Sequence, residues 1–244
     1  MSPFSIVVQK ALSRWPWVGL IITLGFAIAY CQTQLLVCLP GKQNTQRLQS
    51  GFDALLGPGK ALVLGRIKDL DALAAENPNA AVLSSGMYFN FLPGYSSLLV
   101  GKKKTQVNEK FLMVSASKDL SLKDISGKKV GIIEFLLKDR LAQFVREQFK
   151  LSDAMLKRVN KEDDLLTMLG MEAVDAIIVS ASQYDDIRSN TKLPLTVIAT
   201  SENNMGFAAC AAKNGKMDTA LEHTLLKAPL SVLRELGIDS WEKQ

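Results

Sequence analysis

Seven polar residues follow apolar segments in a way that could place them around a small molecule. Hydroxyl, amide and carboxylate groups orient a ligand by hydrogen bonds, and the apolar residues beside them supply contact area. In open α/β sheets, ligands bind beyond the carboxyl ends of strands. The residues after the predicted strands are therefore expected to contact a ligand, and they are Gln43, Ser84, Ser85, Tyr88, Glu134, Ser180 and Asn203.

The same residues also have structural interpretations that the sequence leaves open. Ser84 and Ser85 can cap a helix, and the other polar residues can stabilise turns. The run at 87–89, which contains Tyr88, can equally belong to the core because it is apolar throughout. Ser182 lies close enough to Ser180 to share either role.

The chain shows no arrangement of residues that is typical of catalysis. His223 is the single histidine, so neither a Ser-His-Asp triad nor a His-rich metal site is indicated. No GxSxG motif occurs, and GPGK at 57–60 lacks the GxxxxGK[ST] spacing of a phosphate-binding loop. We therefore expect a binding protein without enzymatic activity, and no cofactor or metal.

Apolar runs alternate with amphipathic ones from residue 35 onward. Segments 61–64 and 174–179 are typical of buried strands, and 45–56 carries apolar residues at helical spacing. This alternation predicts an α/β fold with mostly parallel sheets covered by helices. The pattern restarts near residue 115, which predicts two similar lobes. Their strand ends can face each other across a cleft that closes around a ligand.

Residues 1–31 have the pattern of an export signal. Lys10 and Arg14 precede the uncharged run WPWVGLIITLGFAIAYC at 15–31, and a positive segment before an apolar one directs export. Two fates remain open. Cleavage after Cys31 gives a periplasmic or extracytoplasmic protein, whereas retention of the apolar helix anchors the chain in the inner membrane. The run is marginal for a span of about 20 residues.

The cysteines and the net charge of the chain bear on disulfide formation and on binding to nucleic acid. Cleavage would leave Cys38 and Cys210, which can form a disulfide in an oxidising compartment or can equally be two buried apolar residues. The formal net charge is +5, of which Lys10 and Arg14 supply two. The remainder is too weakly basic to predict binding to nucleic acid.

Four segments have the arrangement of a known family. They are LLVCLPGKQNTQRLQSGFDALLG (35–57), KDLSLKDISGKKVGII (118–133), AVDAIIVSASQYDDI (173–187) and LKAPLSVLRELGIDSW (226–241). The chain thereby resembles the type-2 periplasmic solute-binding proteins, specifically the phosphate- and phosphonate-binding branch of ABC uptake systems. The resemblance covers 34–244 and implies an α/β, two-lobed periplasmic-binding-protein type 2 fold. It implies that 34–114 and 205–244 form the first lobe and 115–204 the second.

One segment departs from the pattern of that family. Anion-binding members place Ser, Thr and Gly after a strand of the second lobe, where this chain has EFLLKDR at 134–140. This segment has no hydroxyl and adds Glu134, which suits a cationic or amine-bearing ligand. The resemblance implies an exported solute-binding protein that delivers a small molecule to an ABC transporter permease. The alternative is a membrane-anchored accessory subunit of a larger complex, with a degenerate cleft.

Overall fold

The computed structural model describes residues 34–41, 44–151 and 154–244, which form two larger β-sheets surrounded by helices. The strands in chain order are β1 (Leu35–Val37), β2 (Ala61–Val63), β3 (Ala81–Ser85), β4 (Tyr95–Lys102), β5 (Asn108–Glu109), β6 (Phe111–Ser115), β7 (Lys129–Ile133), β8 (Met155–Val159), β9 (Ala176–Ser180), β10 (Thr196–Thr200), β11 (Met205–Gly206), β12 (Ala208–Lys213) and β13 (Ser240–Lys243). The helices are α1 (Thr45–Leu56), α2 (Ile67–Glu76), α3 (Gly86–Phe89), α4 (Lys138–Phe149), α5 (Glu162–Gly170), α6 (Ala181–Asn190), α7 (Thr219–Leu226) and α8 (Leu230–Leu236).

Helix α1 shows how local sequence sets these elements. The side chain of Asn44 accepts a hydrogen bond from the backbone N–H of Arg47 at 2.8 Å, which satisfies an amide that the first helical turn leaves free. Gly57 ends the helix at a φ of 95°, a conformation that glycine adopts without steric cost. Leu48 and Phe52, one turn apart, are buried, and burial of each stabilises the fold by about 1.5–3 kcal/mol.

Each lobe is built on one of the two larger sheets. The first sheet has six strands in the order β13-β4-β12-β3-β1-β2, and the second has five in the order β10-β6-β9-β7-β8. In the first, β1 is parallel to β2 and β3, whereas β12 and β13 pair antiparallel with their neighbours. In the second, β7 is parallel to β8 and β9, whereas β6 is antiparallel to β9 and β10.

Both sheets are therefore mixed, and the prediction of mostly parallel sheets is wrong. Strands β3 and β9 run toward the edge at which the lobes meet. Strands β12 and β6 enter their sheets from the crossovers between the lobes, so they must run away from that edge and pair antiparallel with β3 and β9. Strand β6 lies in the second sheet, so the first strand of that sheet along the chain begins at Phe111. The division of the chain into lobes at residues 114 and 115 stays a prediction.

A small antiparallel sheet of β5 and β11 carries the chain between the lobes, and we call it the hinge ribbon. Met205 lies opposite Glu109 in it, and Gly206 lies opposite Asn108. Helix α3 begins directly against this ribbon, because a Cβ placed on Gly86 would lie 3.0 Å from the Cα of Gly206. Two glycines thus allow the first lobe and the ribbon to approach at backbone distance.

The two lobes also contact each other directly. The backbone N–H of Gly41 donates to the carbonyl of Asn160 at 3.3 Å. The Arg140 guanidinium donates to the carbonyl of Phe91 and lies 5.8 Å from the centroid of its ring. One cluster of buried apolar side chains includes residues of both sheets, and residues 34–244 form one compact unit.

Cys38 and Cys210 are free thiols, so the disulfide is not formed and the alternative of two buried cysteines describes the fold. Cys38 packs in the apolar cluster that both lobes share, whereas Cys210 packs in the cluster on the other face of the first sheet. Because the sheet separates them, the two sulfur atoms do not meet. Burial raises the pKa of each thiol from 9.0 to about 12.

The predicted signal or anchor at 1–31 lies outside the described residues and stays a prediction. Within the described ranges, every helix is too short or too polar to cross a membrane.

Candidate functional site

A cavity lies between the lobes where strands of both sheets end, and we call it the cleft. Its volume is about 110 Å³, below the roughly 300–1,000 Å³ typical of pockets for drug-sized ligands. Carboxyl ends of strands from two sheets converge here, as expected for a ligand site in an α/β protein. The residues that line it are Leu39, Pro40, Ser85, Met87, Glu109, Phe111, Ile133, Phe135, Ile178, Ser180, Ser182, Gln183, Gly206, Phe207, Ala208, Leu236 and Gly237.

Ser85 lines the cleft, and its hydroxyl has no hydrogen-bond partner among the described residues. Ser85 is the last residue of β3, and its Oγ is shielded from solvent without a hydrogen bond to any described residue. A buried polar group left without a partner costs about 1–3 kcal/mol. A serine hydroxyl both donates and accepts, so Ser85 can bond to either kind of polar group on a ligand.

Ser180 ends β9 on the opposite wall and caps helix α6. Its Oγ accepts a hydrogen bond from the backbone N–H of Gln183 at 3.2 Å, and the Gln183 side chain accepts one from the backbone N–H of Ser180 at 2.9 Å. This reciprocal pair fixes the start of the helix. The Ser180 Oγ also lies 3.1 Å from the Oγ of Ser182, so two hydroxyls are held side by side at the cleft.

Glu109 of the hinge ribbon reaches the same helix start. Its Oε2 accepts a hydrogen bond from the backbone N–H of Ser182 at 2.8 Å. The amides of a first helical turn are a common binding site for anions, and here a carboxylate of the chain itself takes that position. The neighbouring Lys110 donates its ammonium group to the carbonyls of Ser201 and Glu202. Among the described residues that line the cleft, Glu109 is the one charged side chain.

Aromatic rings supply much of the apolar wall. Phe111, Phe135 and Phe207 line the cleft, and the ring centroids of Phe111 and Phe135 are 5.3 Å apart. Both rings also pack against Phe144, at centroid distances of 5.4 and 5.2 Å. Because Phe144 is 1% exposed, these two rings are braced by the core of the second lobe.

Two of the seven residues expected from the sequence, Ser85 and Ser180, lie in the wall of the cleft, and their contact with a ligand stays a prediction. Gln43 lies outside the described residues. Ser84 is fully buried, and its Oγ donates to the carbonyl of Cys38 at 2.8 Å. Neighbouring side chains of a strand point to opposite faces, which explains why Ser84 and Ser85 differ.

Tyr88 and Asn203 lie away from the residues that line the cleft. Tyr88 is 1% exposed and its hydroxyl donates to Asp71 at 3.1 Å, so the alternative of a core residue describes it. Burial and, next, the Asp71 carboxylate raise the pKa of Tyr88 above its ordinary value. The backbone N–H of Asn203 donates to the side chain of Gln148 at 3.0 Å, which places Asn203 in a turn at the return crossover.

Glu134, the predicted partner of a cationic ligand, also lies away from the cleft lining. Its carboxylate forms an ion pair with Arg158 of β8, and its backbone N–H donates to the carbonyl of Val159 at 2.8 Å. The next residue, Phe135, lines the cleft instead. The segment that replaces the anion-binding loop therefore contributes an aromatic ring, and the carboxylate at the cleft comes from Glu109.

The sequence did not single out Glu109, Phe111 or Gly206. Glu109 and Gly206 belong to strands of two residues each, which are too short to show a hydrophobic period. The signal that could have found them is their position at the two crossovers, because both connections must pass the mouth of a cleft between lobes.

Comparison with known proteins shows what the architecture resembles. No family model matches the sequence, and no curated protein matches it. Among solved structures, XAC2383 from Xanthomonas citri bound to ATP has a TM-score of 0.61 at 12% sequence identity, over 87% of this chain and 91% of that chain. The chain has the two-lobed binding-protein fold.

Two further structures with this binding-protein fold are similar. Tv2483 bound to L-arginine has a TM-score of 0.55 at 11% identity, over 88% of this chain and 96% of that chain. A binding-protein component of an ABC phosphonate transporter from Pseudomonas aeruginosa has a TM-score of 0.57 at 11% identity, over 87% and 82%. The structural neighbours are type-2 periplasmic binding proteins, and these low identities describe the fold and not the ligand.

Proposed function

We propose that this chain is an exported solute-binding protein that holds a small molecule in the cleft between its lobes. The observation that carries the proposal is the Ser85 hydroxyl, which is shielded from solvent without a hydrogen-bond partner among the described residues. Ser85 lines the cleft, and a solute reaches this hydroxyl when the lobes part slightly. A ligand group that bonds to this hydroxyl removes an energetic cost of about 1–3 kcal/mol that the protein otherwise bears. The hydroxyls of Ser180 and Ser182 on the opposite wall give the ligand a second polar contact.

The fold and the solved structures that resemble it support the proposal of a solute-binding protein. A ligand that contacts both lobes favours the arrangement in which they meet, so binding and closure about the hinge ribbon are coupled. XAC2383 and Tv2483 are each bound to a small molecule, ATP and L-arginine respectively. By analogy, the partner of this chain is a membrane permease of the ABC type, which takes up the solute that the closed form presents. Residues 1–31 would direct export to the periplasm.

A thermal-shift screen of small anions, amines, amino acids and neutral solutes tests the proposal. A ligand at 100 times its Kd adds about 2.7 kcal/mol of stability, which corresponds to a rise in Tm of roughly 5–10 °C for a chain of this size. The variant Ser85→Leu should lose this shift because it removes the hydroxyl and fills the cleft. The control Ser189→Leu, at an exposed position of α6, should retain it. If no solute in any class raises the Tm of the wild type, solute binding is refuted.

The second candidate is the membrane-anchored accessory subunit. The direct contacts between the lobes favour it, because the bonds from Gly41 to Asn160 and from Arg140 to Phe91 can hold the lobes together without help from a solute. Intact-mass measurement of the protein from extracted membranes separates the two candidates. Loss of residues 1–31 supports the exported solute-binding protein, and their retention in the membrane fraction supports the anchored subunit.

A further inference from the structure

The start of helix α6 is occupied by a carboxylate of the chain, and this determines which ligand charge the cleft accepts. The Glu109 Oε2 accepts the Ser182 amide at 2.8 Å, and the Ser180 hydroxyl accepts the Gln183 amide at 3.2 Å. An oxyanion ligand at this helix would need the same donors. It would have to displace Glu109 from the Ser182 amide and would then lie beside a like charge, which is unfavourable.

Positive charge is kept away from the described lining of the cleft. Lys110 directs its ammonium group to the carbonyls of Ser201 and Glu202, and Arg140 bonds to the carbonyl of Phe91. The described groups around the cleft therefore favour a cation over an anion.

Aromatic side chains form part of the apolar wall of the cleft. Phe111, Phe135 and Phe207 line the cleft together with Glu109. An ammonium group that meets the face of such a ring is attracted by the ring quadrupole, more strongly as the site becomes desolvated. A mostly apolar cavity with one carboxylate can thus hold an ammonium group that carries short hydrocarbon substituents.

We propose that the cleft selects small organic cations, either amines or quaternary ammonium compounds, and that the Glu109 carboxylate gives this preference by interacting with their positive charge. This rests on the proposed function, because it names the ligand class of the same cleft. The Glu109 carboxylate accepts the ammonium group or lies beside it, the phenylalanine rings cover its hydrocarbon part, and the Ser85 hydroxyl bonds to a polar substituent. In size, the cleft of about 110 Å³ fits such a compact molecule.

Binding calorimetry with solutes of one shape and different charge tests the assignment. Isoamylammonium, isoamyl alcohol and isovalerate share a skeleton and are cationic, neutral and anionic at pH 7. Choline and its neutral carbon isostere form a second matched pair. Wild-type protein should bind the cation of each set about tenfold or more tightly than its neutral counterpart. Isoamylammonium gains a hydrogen bond to a charged group, whereas choline, which has no N–H, gains only the Coulombic attraction of the Glu109 carboxylate. Isovalerate should not bind measurably.

Glu109→Gln should remove the preference without unfolding the protein, because the glutamine carbonyl can still accept the Ser182 amide. The affinity for the cations should fall roughly 10- to 100-fold, while that for the neutral solutes is unchanged. Glu76→Gln, at an exposed end of α2, carries the same charge change far from the cleft and should behave as wild type.

The outcomes separate this inference from the proposed function. Binding of neutral or anionic solutes in preference to cations, or an equal loss of cation affinity in the two variants, would overturn the role of Glu109 and leave the solute-binding function standing. Binding of no solute from this set or from the wider thermal-shift screen would overturn both.

Discussion

Two adjacent serines of β3 should respond in opposite ways to the same substitution. The Ser84 Oγ donates to the carbonyl of Cys38 at 2.8 Å and is fully buried. Ser84→Ala removes that hydrogen bond and leaves a buried carbonyl without this donor, which costs about 1–3 kcal/mol. At roughly 2–4 °C per kcal/mol for a chain of this size, Tm should fall by about 2–12 °C.

Ser85→Ala removes a hydroxyl that has no partner, so the folded state loses nothing and is relieved of a buried polar group. The Tm should stay unchanged or rise by up to about 4 °C, which corresponds to about 1 kcal/mol. Any solute that stabilises the wild type should at the same time stabilise Ser85→Ala less, because the ligand loses one hydrogen bond. Stability falls and ligand response is retained in the Ser84 variant, whereas stability is retained and ligand response falls in the Ser85 variant.

Differential scanning calorimetry of the two variants and the wild type, with and without the solute, measures all of these quantities. The pair is its own control, since the residue type and the strand are the same. The reasoning is refuted if Ser85→Ala loses as much stability as Ser84→Ala, because the Ser85 hydroxyl would then have a partner in the folded protein.

Three further predictions concern other parts of the fold. The raised pKa values of Cys38 and Cys210 mean that their contribution to stability is complete below pH 9 and is lost as pH rises toward 12. In denaturant titrations above pH 9, the free energy of unfolding should fall by up to about 1.4 kcal/mol per pH unit for each thiol. An equally steep fall in the double alanine variant would contradict this. Arg140→Ala should open the lobes and raise the radius of gyration measured by small-angle scattering, because a charged hydrogen bond of about 1.5–3 kcal/mol between the lobes is lost. The exposed control Arg188→Ala should leave the radius unchanged. An unchanged radius in Arg140→Ala would show that this contact does not hold the lobes together. Gly86→Ala should lower stability by about 1–3 kcal/mol, since its Cβ would lie 3.0 Å from a backbone atom of the hinge ribbon; an unchanged Tm would show that the ribbon can move aside.

The hydrophobic periodicity of the sequence predicted where helices and strands form better than it predicted the direction in which each strand runs. The run at 45–56 and the strand runs at 61–64 and 174–179 show a clear pattern, and helices or strands form there. The direction of a strand depends on where the chain enters its sheet. Strands β6 and β12 enter from the crossovers, and nothing in their own sequences records this.

The candidate site was predictable only in part, for a related reason. Ser85 and Ser180 could be named because both end buried strands, whose carboxyl ends face a ligand site. Ser84 and Ser85 could not be separated, since the face of the strand is decided by packing partners distant in sequence. Glu109 escaped prediction because its role depends on the Ser182 amide, 73 positions away in the sequence.

The central claim is that a small solute occupies the cleft between the lobes, and a crystal structure with the most strongly stabilising solute tests it directly. The account predicts the solute in contact with both walls, with a polar atom within hydrogen-bond distance of the Ser85 Oγ and any ammonium group beside Glu109. A solute bound elsewhere on the protein, with the Ser85 hydroxyl still unpartnered, would contradict it.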